Sequence, residues 1–232
     1  MDDLPARGEP FPYRVLLVAS LAALNNVAFG YDVGIVSGSL TDMADTLDLS
    51  TFQQEVATSG LNFVSGAGAL VVSGNFLDII GRRATLLCAA ALLVIGGVVV
   101  ALAPSFPVLL LGRALQGLGS GCSWSASSVY ITEIAPPAYR GALVAISDIA
   151  INVGILLGYA VDRVINLTIV SASVRWRVAM GLSVIVPLTY GVLYPLVPET
   201  PRLLTMHGKR TEAAQVRIRQ NLSHRHLALT LP

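Results

Sequence analysis

Charge is scarce in this chain. Asp, Glu, Lys and Arg supply 12% of its 232 residues, about half the share in an ordinary soluble domain. Cysteine is nearly absent. Cys88 and Cys122 both lie inside apolar runs, where packed thiols are expected rather than a disulfide or a metal site. The three histidines, His207, His224 and His226, all fall near the C-terminus. No P-loop, no Gly-x-Ser-x-Gly turn and no metal-ligand cluster occurs, so an enzyme is not expected and no cofactor is implied. A net charge of +1, without a basic block interleaved with aromatics, argues against nucleic acid as a partner. Asp2, Asp3 and Glu9 precede the first apolar run and no small-residue cleavage site follows it. A retained first helix is therefore expected rather than a removable signal peptide.

What is plentiful is apolar. Hydrophobic residues make up 54% of the chain and mean hydropathy is +0.69. They cluster into runs long enough to cross a ~30 Å hydrocarbon core, which takes ~20 helical residues each. Six spans are predicted, over 14–38, 56–77, 84–104, 107–131, 141–162 and 178–197, giving an all-α membrane protein with the lipid bilayer as its solvent. An even number places both termini on one side. Arg7, Arg14, Arg82, Arg83, Arg140, Arg202, Lys209, Arg210, Arg217, Arg219 and Arg225 lie on that side. The other side holds Arg163, Arg175 and Arg177, and its first loop, 41–55, has four acids and no base. The positive-inside rule then puts both termini in the cytoplasm. Asn166-Leu167-Thr168, in an outer loop close to the membrane, is a potential glycosylation site, whereas Asn221-Leu222-Ser223 is cytoplasmic.

Lipid gives helices no hydrophobic drive to associate, so contacts need small residues. Gly30, Gly34 and Gly38 form an i, i+4, i+8 stripe, and Gly117/Gly121 and Gly154/Gly158 repeat the spacing; helix packing is the expected role. The charges left inside the spans carry the chemistry. Burying one at the bilayer centre costs about 2.5–3.5 kcal/mol on insertion scales. Asp32 and Arg113 each lie about six residues from the outer end of their span, ~9 Å deep at 1.5 Å per residue. At matched depth they can pair, either as a fixed bolt or as part of an ion or substrate path. Asn25, Asp32 and Ser39 share one face of span 1, and Arg113, Gln116, Ser120, Ser123 and Ser127 share one face of span 4. Two such stripes imply a wet cavity. Asp148 enters span 5 from the cytoplasmic side, ~10 Å deep, with Asn152 one turn further on the same face. A buried acid without a partner is expected to be neutral at rest, able to donate as well as accept hydrogen bonds from a polyol, unless it only bridges helices. At the cytoplasmic helix ends, Asp78, Arg82 and Arg83, then Glu133 and Arg140, then Glu199 and Arg202 place acid beside base. Such a network can latch that side and break when helices separate.

Several of these stretches resemble the sugar porter family, the glucose-transporter-like branch of the major facilitator superfamily. Gly74-Asn75-Phe76-Leu77-Asp78-Ile79-Ile80-Gly81-Arg82-Arg83, a tight charged turn between two spans, resembles the loop between helices 2 and 3 of the superfamily. Phe29-Gly30-Tyr31-Asp32-Val33-Gly34-Ile35-Val36-Ser37-Gly38 looks like the family's first helix. Gly112-Arg113, then Leu115-Gln116-Gly117-Leu118-Gly119-Ser120-Gly121, Tyr130, Glu133 and Arg140 fit its second signature. Pro198-Glu199-Thr200-Pro201-Arg202 is similar to its Pro-Glu-Ser-Pro-Arg, with Leu203 where Trp is common. Val153-Gly154-Ile155-Leu156 matches its helix 5, and Asp148 stands where a sugar-contacting Gln is usual.

The resemblance implies a six-helix half built of two inverted three-helix repeats. It also implies transport of a hexose or related polyol by alternating access, with Asp148, Asn152 and Asn25 toward the substrate. Asp32 with Arg113 leans toward proton coupling, since many uniporters of the family carry Asn in place of the acid. The expected organisation is a cytoplasmic N-terminus (1–13), a transmembrane half-domain (14–202) and a tail (203–232) that begins the linker to a second half. Family members have twelve helices with the site between halves. The chain is thus expected to be a fragment or truncated product whose partner is a C-terminal half or another transporter chain. The alternative is a non-transporting membrane protein, a sugar receptor or a partner of full-length transporters. The plasma membrane or an endomembrane is the expected location.

Overall fold

A computed structural model describes residues 13–73, 76–135, 139–194 and 199–206. The readings for 1–12 and 207–232, including the basic residues, histidines and Asn221 there, lie outside the described residues, as do Gly74, Asn75 and Pro198. The described regular structure is helical: α1 Tyr13–Leu47, α2 Thr51–Ser73, α3 Phe76–Ile80, α4 Arg82–Ala101, α5 Phe106–Ile134, α6 Arg140–Thr168, α7 Ala172–Leu182, α8 Ile185–Leu193 and α9 Pro201–Met206. The six predicted spans correspond to α1, α2, α4, α5, α6 and the α7–α8 stretch.

Among the described residues, three of these, α4, α6 and Ala172–Leu193, are long and apolar enough to cross a membrane by length and composition. Helix α6 runs to Thr168, so Asn166 stands in a helix rather than in the expected outer loop, and three further differences from the sequence reading bear on the packing. Helix α1 runs nine residues past the predicted end at 38, because Asp42 is held from α7 by both nitrogens of a bidentate Arg175, at 2.6 and 2.7 Å. The sixth span is broken at Ser183–Val184. Pro187 has no N–H to give the Ser183 carbonyl, and the amides of Ser183 and Val184 close tighter i→i−3 turns onto Met180 and Gly181 instead. The charged connection before α4 is not a bare turn, since it contains the helix α3.

The packing pairs α1 with α6 and α5 with α2; α4 packs on α5, and α7–α8 on α1. Exchanging spans 1 with 4, 2 with 5 and 3 with 6 turns each of these contacts into the other of its kind, as two inverted three-helix repeats require. The result is a row α2–α5–α1–α6 with α4 and α7–α8 against one side. Glycine permits the two closest contacts. A Cβ on Gly30 or Gly34 would strike the backbone of Ile151 or Ile155, and one on Gly117 or Gly121 would strike that of Leu61 or Ser65. The packing role expected of the stripes is thus seen directly. Leu86, Tyr130, Ile131, Leu143 and Tyr190 form one apolar cluster. Ile35, Met43, Leu109, Trp176 and Met180 form a second.

Candidate functional site

Asp32 and Arg113 meet. Arg113 Nη1 lies 2.5 Å from Asp32 Oδ2, and the two residues are 5% and 3% exposed. Gln116, one turn along α5, completes the arrangement: its Oε1 accepts from Arg113 Nη1 at 3.3 Å, and its Nε2 donates to Asp32 Oδ1 at 3.3 Å. Arg113 Nε donates to the Ala57 carbonyl of α2 at 3.2 Å. Both carboxylate oxygens therefore hold a donor, which offsets much of the penalty of burying the charges. Arg113 also lines a cavity of about 300 Å³ with Ser37, Thr58, Ser59 and Asn62, from α1 and α2. The cavity opens onto the guanidinium end of the pair, with hydroxyl and amide groups in a mixed polar and apolar lining.

The expected wet groove does not run the length of α1. Asn25 is buried and donates to the Tyr194 hydroxyl at 3.2 Å, and Ser39 is buried against Asp162 of α6 at 3.0 Å. Residues at intervals of seven share a face, yet each meets a different helix because its neighbours cross at angles. Asp148 departs further from its reading. Its side chain is exposed, as is that of Asn152, whose amide donates to the Asp148 carbonyl at 2.9 Å. The burial that was to hold Asp148 neutral is absent, because α6 turns Ser147, Gly154 and Gly158 to its neighbours and leaves Asp148 and Asn152 on the outer side.

At the Glu133 end of α5 the charges converge. Arg82 is 3% exposed; its Nη2 lies 2.7 Å from Glu133 Oε1 and 2.8 Å from Asp78 Oδ1, and Nη1 donates to the Leu77 carbonyl. Arg202 Nε reaches Glu133 at 3.8 Å. Glu199 accepts from the Arg83 backbone N–H at 3.3 Å, placing an anion on the first turn of α4 where the helix dipole favours one. Gly81 makes this approach possible. It has φ 99°, open to glycine, and a Cβ there would come within 3.0 Å of Glu199 Oε2 and of Leu203. Arg140 lines a cavity of about 520 Å³ with Glu133, Arg202 and Thr205, but makes no ion pair with a described residue. The arrangement ties α3, α4, α5 and α9 together.

Three partners escaped the sequence reading. Gln116 was visible only as one polar residue of a stripe. The Asp42–Arg175 clasp joins residues 133 apart. Asp162 takes Ser39 on one oxygen and Asn166 Nδ2 on the other, at 2.8 Å; a carboxyl beside Gly38 was the available signal. That bond also engages the amide of the potential glycosylation site.

Residues 18–228 match the family described as sugar (and other) transporter. The chain is 37% identical over 207 residues to probable polyol transporter 4 of Arabidopsis thaliana, covering 89% of this chain and 39% of that protein. It is 35% identical over 214 residues to probable polyol transporter 6 of the same plant, covering 91% and 42%. Among solved structures it resembles the proton:xylose symporter XylE bound to 6-bromo-6-deoxy-D-glucose, with TM-score 0.83 at 26% identity, over 92% of this chain and 52% of that one. The chain thus spans about two fifths of the length of these curated relatives and about half of the XylE chain. The inverted packing, the buried Asp–Arg pair and the charge cluster around Arg82 and Glu133 belong to a sequence that matches nearly end to end, and the chain is an integral, multi-pass member of the sugar porter family of the major facilitator superfamily, corresponding to its N-terminal half.

Proposed function

We propose that this chain is the N-terminal part of a transporter that moves a hexose or related polyol by alternating access, driven by protons. The observation that carries the reading is the buried Asp32–Arg113–Gln116 group, whose Arg113 lines a cavity. Ionised Asp32 holds Arg113; a proton arriving through the cavity cancels the charge and frees the guanidinium, so that protonation and helix movement become one event. The XylE likeness, a proton:xylose symporter by its title, supports coupling, and the polyol transporters support the substrate class.

Asp148 and Asn152, exposed together on α6, face the substrate, with a second half closing the site over them. Asn25, buried against Tyr194, supports α1 from behind that surface. Arg82, Glu133, Arg202 and Glu199, with Asp78, Arg83 and Arg140 around them, form the cytoplasmic latch. Both termini are cytoplasmic, and residues 14–202 are the transmembrane unit, in the plasma membrane or an endomembrane. A receptor or non-transporting partner gains no support from the relatives above, all named as transporters.

Asp32→Asn tests the reading. In vesicles carrying the protein at its native length, the variant is expected to lose accumulation driven by a proton gradient while keeping sugar exchange. Accumulation equal to the parent's would remove Asp32 from coupling.

A further inference from the structure

Trp124 is the largest side chain on α5, a helix that packs against α1, α2 and α4. It is 47% exposed, while the chain's other tryptophan, Trp176, is fully buried. Its ring stacks on Phe29 of α1, with centroids 6.1 Å apart and planes inclined by 30°. A flat aromatic face braced by a second ring is a preformed surface for an apolar partner.

The register of the helices locates the stack. Asn26 reaches the Ser147 carbonyl at 3.4 Å, and Gly30 abuts the backbone of Ile151. Residues 26–30 of α1 thus lie alongside 147–151 of α6. Phe29 therefore stands level with the exposed pair Asp148 and Asn152, one helix over. Trp124 thus reaches from α5 onto α1, and the polar pair stands at the same level on the next helix of the row.

Resting on the transport reading above, we infer that Trp124, braced by Phe29, is a specificity-determining surface for cyclic substrates: pyranoses and cyclitols. Such rings gather their axial C–H bonds into a weakly positive apolar patch, which matches the negative face of an indole, while their equatorial hydroxyls point sideways toward Asp148 and Asn152. An acyclic polyol offers the hydroxyls without the patch. The aromatic surface thus favours the ring, and the polar pair serves both.

The test is competition for uptake in vesicles carrying the protein at native length, with D-glucose, myo-inositol and sorbitol as probes. Trp124→Leu is expected to raise the half-inhibitory concentrations of glucose and inositol about tenfold and to leave sorbitol within about twofold, with Trp124→Phe restoring most of the loss. Glucose is also expected to shield the parent's exposed tryptophan from acrylamide quenching, and sorbitol to shield it less. An equal loss for all three probes marks Trp124 as packing and overturns the inference, as does no loss for any, or quenching indifferent to glucose. A parent protein that transports none of the three overturns the transport reading itself and the inference with it.

Discussion

Removing Arg113 alone should damage this protein more than removing both members of its pair. Arg113→Met keeps the length of the side chain but deletes the bonds to Asp32, Gln116 and the Ala57 carbonyl. Asp32, 5% exposed, keeps the Gln116 amide alone. Breaking a buried pair by removing one partner costs about 3–5 kcal/mol, since the remaining charge is uncompensated. Asp32→Leu should cost a similar amount by stranding the guanidinium. The double variant leaves no charge behind, and buried pairs replaced by apolar groups are often neutral. Its loss should therefore fall short of the summed single losses by at least about 2 kcal/mol. Unfolding by SDS in mixed micelles, followed by helical circular dichroism, measures all four corners of the cycle. Additivity to within about 0.5 kcal/mol would mean that the two charges do not stabilise each other, and the pairing argument would be refuted.

Glycine positions give a contrast in sign: Gly34→Ala should destabilise despite the better helix propensity of alanine, because its Cβ meets Ile155 and, at 3.2 Å, Gly158. Gly66→Ala, with nothing within 4 Å, should gain up to about 1 kcal/mol in the same unfolding assay. Glu199→Ala should loosen the start of α4 by about 0.5–2 kcal/mol, as loss of a capping acceptor does, seen as faster hydrogen exchange at Arg83 and its neighbours; unchanged exchange would dismiss the cap. Asp148→Gln should preserve uptake, whereas Asp148→Leu should weaken sugar affinity by about 1–3 kcal/mol; lowered abundance with intact affinity would make the residue a packing element. Single cysteines placed in 41–55 and in 78–83 should react with impermeant thiol reagents from opposite sides of the membrane, and labelling from one side would invert the topology.

The fold was legible because two physical signals are strong in lipid. Long apolar runs mark spans, and glycines at four-residue spacing mark where backbones touch; Gly30/Gly34 against α6 and Gly117/Gly121 against α2 follow that rule. Asp32 and Arg113 were legible as a pair because an isolated charge there is expensive and their depths match. Helix ends were less so. The extension of α1 depends on Arg175, 133 residues from Asp42, and no local pattern announces a partner that distant. The break before α8 did have a local sign, Pro187, within a run whose apolarity alone suggested continuity.

What spacing could not supply was the identity of the neighbour each face meets. Asn25, Asp32 and Ser39 share a face of α1, yet Tyr194, Arg113 and Asp162 receive them from three different helices. The same limit explains Asp148. Its i, i+4 partner Asn152 was read correctly as sharing its face, but whether that face is covered depends on how α6 rolls against α1. The roll is set by Gly154 and Gly158, whose missing side chains let the Val27 carbonyl and Tyr31 backbone approach. Once those glycines turn inward, residues 148 and 152, about 120° and 160° around the helix from the Gly154 direction at 100° per residue, must turn outward. The exposure of the acid is thus a consequence of the packing glycines, and a polar pair held open on a membrane helix is better suited to meeting a substrate than to bridging helices.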